Sequence, residues 1–235
     1  MISAVIILVL CLFWIRIRYE ARAYIVSRHV ATIRKPLKHS LNILHLSDMH
    51  FDGPDKKLAR FFDRLGAESY DFIFISGDII DCAAGIPFCV ENLKKLRAKG
   101  GVWAVLGNHD YYDYDFFDIL FHNFPGQTKP HKFINIDLFT QALGEAGVRV
   151  LRNQTVKAEL SGQSFLIHGL DDVTTGRANI RTAMANFDPA KINILVTHTI
   201  DVFLDIGKNE IDLSFSGHSH GGQFRFPLID RKSVV

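Results

Sequence analysis

The most informative segment of this 235-residue sequence is Ser216-Gly217-His218-Ser219-His220-Gly221-Gly222. It places two histidines one residue apart between glycines, at a turn where little side-chain bulk can block a ligand. Imidazole is the side chain that most often binds metals, so the pair can bind one ion or two adjacent ions. Polar motifs of the same kind occur earlier in the chain, each after a short apolar run: Asp48-Met49-His50, Gly77-Asp78, Gly107-Asn108-His109-Asp110 and Thr197-His198.

The apolar runs before these motifs predict buried strands, because they are rich in Val, Ile, Leu and Phe and do not alternate with polar residues. They cover residues 41–46, 72–75, 102–106, 192–196 and 213–215. Helical patterns lie at 56–65, 87–98 and 138–145, and a hairpin of strands 154–159 and 164–169 turns at Ser161-Gly162. Alternating strands and helices predict a layered α/β fold, whose ligand crevice lies at the carboxyl ends of the strands.

The side chains of these motifs are suited to metal binding. Carboxylates and imidazoles suit Mn, Fe or Zn, and the lack of thiolates argues against a structural zinc site. The candidate ligands are Asp48, His50, Asp78, Asn108, His198, His218 and His220. Seven ligands exceed what one ion with four to six ligands requires, so we expect two divalent metal ions, Mn²⁺ first and Fe or Zn as alternatives. Two ions about 3.5–4 Å apart suit in-line displacement at phosphorus.

Taken in order, these motifs resemble the signature of the calcineurin-like metallophosphoesterase family, which is Asp-x-His, Gly-Asp, Gly-Asn-His-Asp, a lone His and Gly-His-x-His. The resemblance spans residues 48–220. It implies an α/β fold, a four-layer α-β-β-α sandwich of two mixed sheets. It also implies an enzyme, a metal-dependent hydrolase of phosphoric esters or pyrophosphates.

The resemblance also implies a role for each motif residue. One ion would be held by Asp48, His50, Asp78 and His220, and the other by Asp78, Asn108, His198 and His218. His109 would be the catalytic histidine that binds no metal, contacts the phosphate and protonates the leaving group. Asp81 would orient His109 as a neighbouring carboxylate.

Further segments resemble the bacterial membrane-associated branch of this family: Gly169-Leu170-Asp171-Asp172, Thr175-Gly176-Arg177 and residues 217–223. That branch includes UDP-2,3-diacylglucosamine pyrophosphatases of lipid A synthesis, so the resemblance implies a phosphorylated, lipid-linked substrate that is cleaved to UMP and lipid X. Arg177 is either a phosphate contact or an ordinary surface arginine. The chain departs from the family at Thr199-Ile200-Asp201, where proline is usual, and it ends soon after Pro227, where relatives continue.

Two other functions stay open. One is a general phosphodiesterase or phosphatase for nucleotides or phospholipids, and the other is a non-catalytic binding scaffold of the same fold. The sequence does not separate the two enzymatic interpretations, whereas the complete ligand set and His109 favour an enzyme over a scaffold. The aromatic-rich segment 111–133 either covers the core or forms a lid for acyl chains beside the site.

The first 40 residues differ from the rest in charge and hydropathy. Residues 2–15 form an apolar run that would span roughly 21 Å as a helix, short of a ~30 Å bilayer core. Seven basic residues against Glu20 give residues 1–40 a charge of +6, although the whole chain carries only +2. Because these basic residues follow the apolar run, they favour an uncleaved anchor over a signal peptide and keep the following domain in the cytoplasm.

We therefore expect a membrane-anchor helix and a basic juxtamembrane segment at residues 1–40, and a catalytic domain at residues 41–235. The expected location is the bacterial inner membrane, with the catalytic domain facing the cytoplasm. The excess positive charge lies in the N-terminal segment and leaves no general basic patch, so we expect no nucleic-acid partner.

Overall fold

The computed structural model describes residues 24–114, 132–206 and 211–219, together with Cys11 and Arg16. Within these residues one sheet contains Ile43–Leu46 (β1), Phe72–Ser76 (β2), Val102–Val105 (β3) and Val148–Val150 (β6), in the order β1-β2-β3-β6. The second sheet contains Gln154–Leu160 (β7), Gln163–Gly169 (β8), Ile192–Val196 (β9) and Leu213–Phe215 (β10), in the order β10-β9-β8-β7. A short ribbon pairs Tyr112–Asp113 (β4) with Lys132–Phe133 (β5).

The three predicted helices form, one of them shorter than expected, and two short helices that were not predicted also occur. They are Lys56–Gly66 (α1), Ile86–Leu93 (α2), Asn108–Tyr111 (α3), Ile136–Glu145 (α4) and Ile180–Ala183 (α5), with short 3-10 turns at Ala83–Gly85 and Asp201–Leu204. The carboxylate of Asp55 caps α1 by accepting two backbone N–H groups of its first turn. α2 ends at Leu93 and not at the predicted Ala98, because Ala98 forms a β-bridge with Tyr70 and the chain turns toward the sheet.

The first sheet is parallel throughout its described strands, so the expectation of two mixed sheets is wrong for this sheet. The physical reason is that helical crossovers through α1, α2 and α4 connect its strands, and such crossovers join parallel neighbours. The second sheet is mixed as expected, since the two-residue turn Ser161-Gly162 makes β8 antiparallel to β7. Both turn residues have positive φ, 51° and 71°, as this tight hairpin turn requires.

Buried apolar side chains fill the spaces between the layers of the fold. Between the two sheets lie Phe72, Phe74, Trp103, Phe165, Ile167 and Ile194. Alternate residues of β2 point to the other face, where Ile73 and Ile75 pack in the cluster that includes residues of α1, α2 and α4. On the second sheet, Leu195 packs with residues of α5 and of the turn at 201–204. The described residues therefore form helix, sheet, sheet and helix layers, which fits the expected sandwich.

Residues 24–40, which we call the N-terminal strap, begin beside α1. The ring of Tyr24 lies 5.6 Å from that of Phe61 on this helix, and Tyr24 Oη donates to the helix cap Asp55 at 3.3 Å. Arg28 lies 3.7 Å from Glu68, just past the other end of the helix. The strap therefore runs along α1 from its first turn to its last.

The later part of the N-terminal strap packs against the rest of the domain. Ile33 and Leu37 contact the core between the two sheets, and Lys35 Nζ lies 2.9 Å from Asp212 Oδ2, just before β10. The predicted anchor at residues 2–15 lies outside the described residues apart from Cys11. Among the helices that the structure describes, none combines the length and the apolar character needed to cross a bilayer.

Candidate metal centre

Loops at the carboxyl edge of the two sheets carry the residues that the sequence singled out. Asp48 and His50 follow β1, Asp78 follows β2, Asn108 and His109 follow β3, His198 follows β9, and His218 follows β10. Parallel strands end at the same edge of a sheet, so residues far apart in sequence meet there. Six of the seven predicted metal ligands lie within the described residues and converge at this edge, whereas His220 lies outside them.

Four of the predicted ligands have a left-handed backbone. The φ angles are 51° at Asp48, 44° at His50, 48° at Asp78 and 68° at His218. Such angles cost about 1–2 kcal/mol each for residues other than glycine. Backbone hydrogen bonds from Asp48 N to Gly77 O at 3.1 Å and from His50 N to Asp78 O at 3.0 Å hold two of them in place. Strained backbone of this kind is concentrated at functional sites.

The first group of candidate ligands comprises Asp48, His50 and Asp78. One ligand atom from each lies within 4.8 Å of the others. His50 Nε2 is 3.8 Å from Asp78 Oδ2, and the Asp48 carboxylate accepts the backbone N–H of His218 at 3.0 Å. That last bond ties the loop after β10 to the loop after β1, although the two segments are 170 residues apart.

The second group comprises Asp78, His198 and His218, again with ligand atoms within 4.8 Å of one another. His198 Nε2 lies 3.2 Å from Asp78 Oδ2 and 3.2 Å from His218 Nδ1. Burial would lower the pKa of His198, but its hydrogen bond to Asp78 and the charges of Asp78 and Asp48 raise the pKa to about 9. Asp78 belongs to both groups, so one carboxylate stands between two sets of candidate ligands.

Hydrogen bonds orient the imidazoles of these groups. His198 Nδ1 lies 2.8 Å from the carbonyl oxygen of Ser76, and His50 Nδ1 lies 3.2 Å from Asp81 Oδ1. An N–H that donates from Nδ1 leaves the lone pair on Nε2, the atom that faces Asp78 in both cases. This is the arrangement by which proteins fix a histidine as a metal ligand.

Asn108 provides a direct test of whether the site fits a cation. Its amide nitrogen lies 3.4 Å from Tyr114 Oη, whereas its buried Oδ1 has no hydrogen-bond partner among the described residues. A buried polar oxygen without a donor costs roughly 1–3 kcal/mol unless another positive partner satisfies it. Together with the two groups that share Asp78, this oxygen fits the oxygen- and nitrogen-ligand chemistry of divalent ions such as Mn²⁺.

His109 lies beside the first group and has a different set of contacts. Its Nδ1 lies 2.7 Å from Asp81 Oδ1, which confirms the predicted pairing of these two residues. Its ring lies 4.6 Å from that of His50 in an edge-to-face contact. Hydrogen bonds from His109 and then His50 hold the pKa of Asp81 well below its usual range. His109 also forms a third group of possible metal ligands with His50 and Asp81, whose ligand atoms lie within 4.8 Å of one another.

The sequence interpretation missed the role of Asp110, the last residue of Gly107-Asn108-His109-Asp110. Its Oδ1 accepts the backbone N–H groups of Ile79 at 2.8 Å and Ile80 at 3.0 Å, and its Oδ2 accepts that of Gly107 at 2.9 Å. Burial and then the charge of Asp78 raise the pKa of Asp110 to about 7. Asp110 fixes the loop after β2 against the loop after β3, and only its place in the motif could have drawn attention to it.

The class of protein follows from this arrangement. An α/β sandwich with carboxylates and imidazoles clustered at its strand ends is typical of metal-dependent hydrolases. Residues 41–222 match the family described as calcineurin-like phosphoesterase. The chain belongs to this family of phosphoric-ester hydrolases, whose members use a dinuclear metal centre.

Individual relatives agree with this assignment. Over 195 residues the chain is 30% identical to the uncharacterized metallophosphoesterase YkoQ of Bacillus subtilis, covering 82% of this chain and 65% of that protein. Over 220 residues it is 28% identical to the UDP-2,3-diacylglucosamine pyrophosphatase LpxG of Chlamydia trachomatis, covering 80% of this chain and 66% of that protein. The chain thus spans slightly less than two thirds of the length of these relatives.

A solved structure shares the fold. The NAD nucleotidase NadN of Haemophilus influenzae matches with a TM-score of 0.52 at 16% sequence identity. The match covers 77% of this chain and 38% of that chain. At this level of identity the similarity concerns the fold alone.

Proposed function

We propose that this chain is a dinuclear-metal hydrolase of phosphoric esters, with Asp48, His50, Asp78, Asn108, His198, His218 and His220 as metal ligands and His109 as the catalytic residue. The observation that carries the proposal is Asp78, whose carboxylate belongs to both ligand groups and lies between them. Mn²⁺ is the proposed metal, with Fe or Zn as alternatives. Two bound ions would stabilise charge on the phosphoryl oxygens and activate water for attack.

The protein's own residues would position the substrate and move a proton. Asp81 holds His109 by Nδ1, so His109 Nε2 can donate to the oxygen of the leaving group. The backbone N–H of His109 donates to Asp78 Oδ1 at 2.9 Å, which fixes the histidine relative to the ligand groups. The ring of Tyr114 packs against His109, with the two ring centroids 4.6 Å apart.

For the substrate, we propose the pyrophosphate bond of UDP-2,3-diacylglucosamine, cleaved to UMP and lipid X. Support comes from the Chlamydia trachomatis and Chlamydia muridarum relatives, both named for this activity and both 28% identical to the chain. A general phosphodiesterase or phosphatase is the second candidate, because other relatives, from Bacillus subtilis and Aquifex aeolicus, are named only as metallophosphoesterases.

We also propose that residues 1–40 include a membrane anchor and that residues 41–235 form the catalytic domain at the cytoplasmic face of the bacterial inner membrane. The N-terminal strap supports this arrangement through its first contact, Tyr24 with Asp55. Asp55 precedes α1 and follows the loop of Asp48 and His50, so the strap enters the domain at the edge that carries the candidate metal centre.

The proposed function is tested with purified protein and Mn²⁺ against UDP-diacylglucosamine, a cyclic nucleotide and an aryl phosphodiester. We expect turnover of UDP-diacylglucosamine to exceed that of the other two and to disappear with a chelator. Preference for the cyclic nucleotide or the aryl ester would favour the general phosphodiesterase. No turnover of any of the three, with two ions bound, would favour a binding scaffold.

A further inference from the structure

Arg177 lies on the loop after β8 and packs on aromatic rings. Its guanidinium carbon is 4.2 Å from the ring centroid of Tyr111 and 5.7 Å from that of Tyr112. The face of an aromatic ring attracts a cation but does not neutralise it. The two rings therefore hold the guanidinium in position without cancelling its positive charge, so the charge can still attract an anion.

The hydrogen bonds of Arg177 leave much of its donor capacity unused. Nη1 lies 3.4 Å from Tyr112 Oη and 3.4 Å from the carbonyl oxygen of Thr175, both long contacts. Within the described ranges, Nε and Nη2 have no acceptor, and no carboxylate forms an ion pair with this arginine. A guanidinium with a free edge of parallel N–H groups matches the oxygens of a phosphate.

Arg152 provides an internal comparison. It also lies over the ring of Tyr111, at 5.8 Å, but its Nε is 3.1 Å from Asp171 Oδ2. Asp171 is buried and also accepts a short hydrogen bond from Tyr111 Oη, so the charge of Arg152 is compensated within the fold. Two arginines thus share one aromatic ring, and Asp171 pairs with only Arg152.

A row of rings connects Arg177 to the candidate metal centre. The ring of Tyr114 is 4.6 Å from that of His109, and the ring of Tyr112 is 6.0 Å from that of Tyr114. Tyr114 Oη also lies 3.4 Å from the amide nitrogen of Asn108. The guanidinium is therefore linked to His109 through the rings of Tyr112 and Tyr114.

The loop that carries Arg177 is held firmly by its own hydrogen bonds. The backbone N–H of Arg177 donates to Asp172 O at 3.0 Å, and its carbonyl oxygen accepts from Asn153 Nδ2 at 2.8 Å. The buried carboxylate of Asp172 accepts the backbone N–H of Thr175 at 2.7 Å. A fixed backbone reduces the entropy that would be lost when the side chain binds an anion.

We propose that Arg177 is a specificity-determining residue that binds a phosphate carried by the leaving group. This rests on the proposed function, because it takes the His109 side as the side of the leaving group. The favoured substrates are phosphoanhydrides, in which a phosphate is itself the leaving group. Hydrolysis of a pyrophosphate diester places the oxygen of water on one phosphate and leaves the bridging oxygen and its electron pair on the other, while the two protons of water are released.

The test compares two substrates that transfer the same uridylyl group. UDP-N-acetylglucosamine has a sugar phosphate as leaving group, and the 4-nitrophenyl ester of UMP has an aryl oxide without phosphate. We expect R177Q to lower kcat/KM for the sugar nucleotide about 10–100-fold, the range of a lost charge-assisted hydrogen bond, and to lower it much less for the ester. R177K should restore part of the difference, since it keeps the charge without the planar fork.

R152Q is the matched control, and it should change both substrates by a similar factor because Arg152 acts within the fold. N-acetylglucosamine 1-phosphate should inhibit ester hydrolysis by the wild type and inhibit R177Q much less. If R177Q lowered kcat/KM equally for both substrates, Arg177 would have a structural role and the proposal would be overturned. If R177Q lowered kcat/KM for neither, Arg177 would be an ordinary surface residue and the proposal would likewise be overturned. A wild-type protein that binds two ions but hydrolyses neither of these substrates nor UDP-diacylglucosamine would instead overturn the proposed function.

Discussion

His109 is the residue that we propose to move a proton without binding a metal. Its Nδ1 pairs with Asp81, and it lies with His50 and Asp81 in a third group of possible ligands, outside the two groups that share Asp78. We therefore expect His109→Ala to keep both metals and to lower the catalytic rate by about 10²–10⁴-fold, because a proton donor is lost. Metal content and turnover should be measured on the same preparation. Loss of one ion per chain would show that His109 is a ligand and that its proposed role is wrong.

The pairing of His198 with Asp78 makes stability depend on pH when no metal is bound. The pKa of His198 is about 9 in the fold, against 6.5 when the residue is free. A raised pKa in the folded state contributes stability that is complete below about pH 6.5 and is lost as the pH rises through about 9. In the presence of a chelator, the free energy of unfolding should therefore fall over this range.

A divalent ion bound by His198, as we propose, would take the place of that proton, so with Mn²⁺ the decline in the free energy of unfolding should disappear. Urea unfolding at about pH 6, 7.5 and 9, with chelator and with Mn²⁺, would measure both behaviours. A chelated protein whose stability rises between pH 6.5 and 9 would contradict the pairing.

Between the elements, the loops after β2 and β3 lie so close together that Gly107 has no room for the methyl group of an alanine. A Cβ at Gly107 would lie 2.2 Å from Asp78 Oδ1, whereas one at Gly144, on α4, would have nothing within 4 Å. We expect Gly107→Ala to displace the Asp78 carboxylate and to weaken metal binding and turnover together. Gly144→Ala, the matched control, should leave both unchanged and stabilise the helix by roughly 0.5–1 kcal/mol. Normal metal content in Gly107→Ala would mean that the loops are more adaptable than the structure indicates.

The strands that lead into these loops could be predicted from the sequence, whereas the conformation of the loops themselves could not. The strands before Asp78 and His198 could be predicted as buried, because a sheet covered on both faces leaves a continuous apolar signature. The strand before Asp48 forms as predicted but is only partly buried, because it lies at the edge of its sheet. The left-handed backbone at Asp48 and Asp78 could not be predicted, because propensity disfavours it and only tertiary hydrogen bonds support it. The role of Asp110 was hidden for a similar reason, since it depends on which backbone N–H groups the fold brings to its carboxylate.

Strand β6 could not be predicted from the sequence for a different reason, its short length. Its three residues, Val148–Val150, are too few to give a recognisable pattern, yet they complete the first sheet beside β3. Short edge strands are specified mainly by their neighbours. The first three strands of this sheet could therefore be predicted from the sequence, but β6 could not.

In the molecule as a whole, the N-terminal strap packs against the folded domain. Ile33 and Leu37 pack against the core, and Lys35 pairs with Asp212. We expect deletion of residues 1–23 to release the protein from membranes while keeping the melting temperature and the turnover of a soluble short-chain substrate. Deletion of residues 1–40 should lower the melting temperature, because it also removes buried apolar contacts.

Thermal unfolding and vesicle sedimentation of the two deletion variants would decide this point. Equal melting temperatures would show that the strap adds no stability. Continued sedimentation of the variant without residues 1–23 would place the membrane contact elsewhere in the chain.

The proposed dinuclear centre depends above all on Asp78, whose carboxylate belongs to both ligand groups. The decisive measurement is the metal stoichiometry of the full chain and of Asp78→Ala, together with turnover of an aryl phosphodiester. Asp63→Ala, which removes an exposed carboxylate paired with Lys95, is the control. We predict about two ions per chain for the wild type and the control, and loss of both dinuclear binding and activity in Asp78→Ala. An Asp78→Ala protein that still binds two ions and turns over substrate at the wild-type rate would contradict the claim.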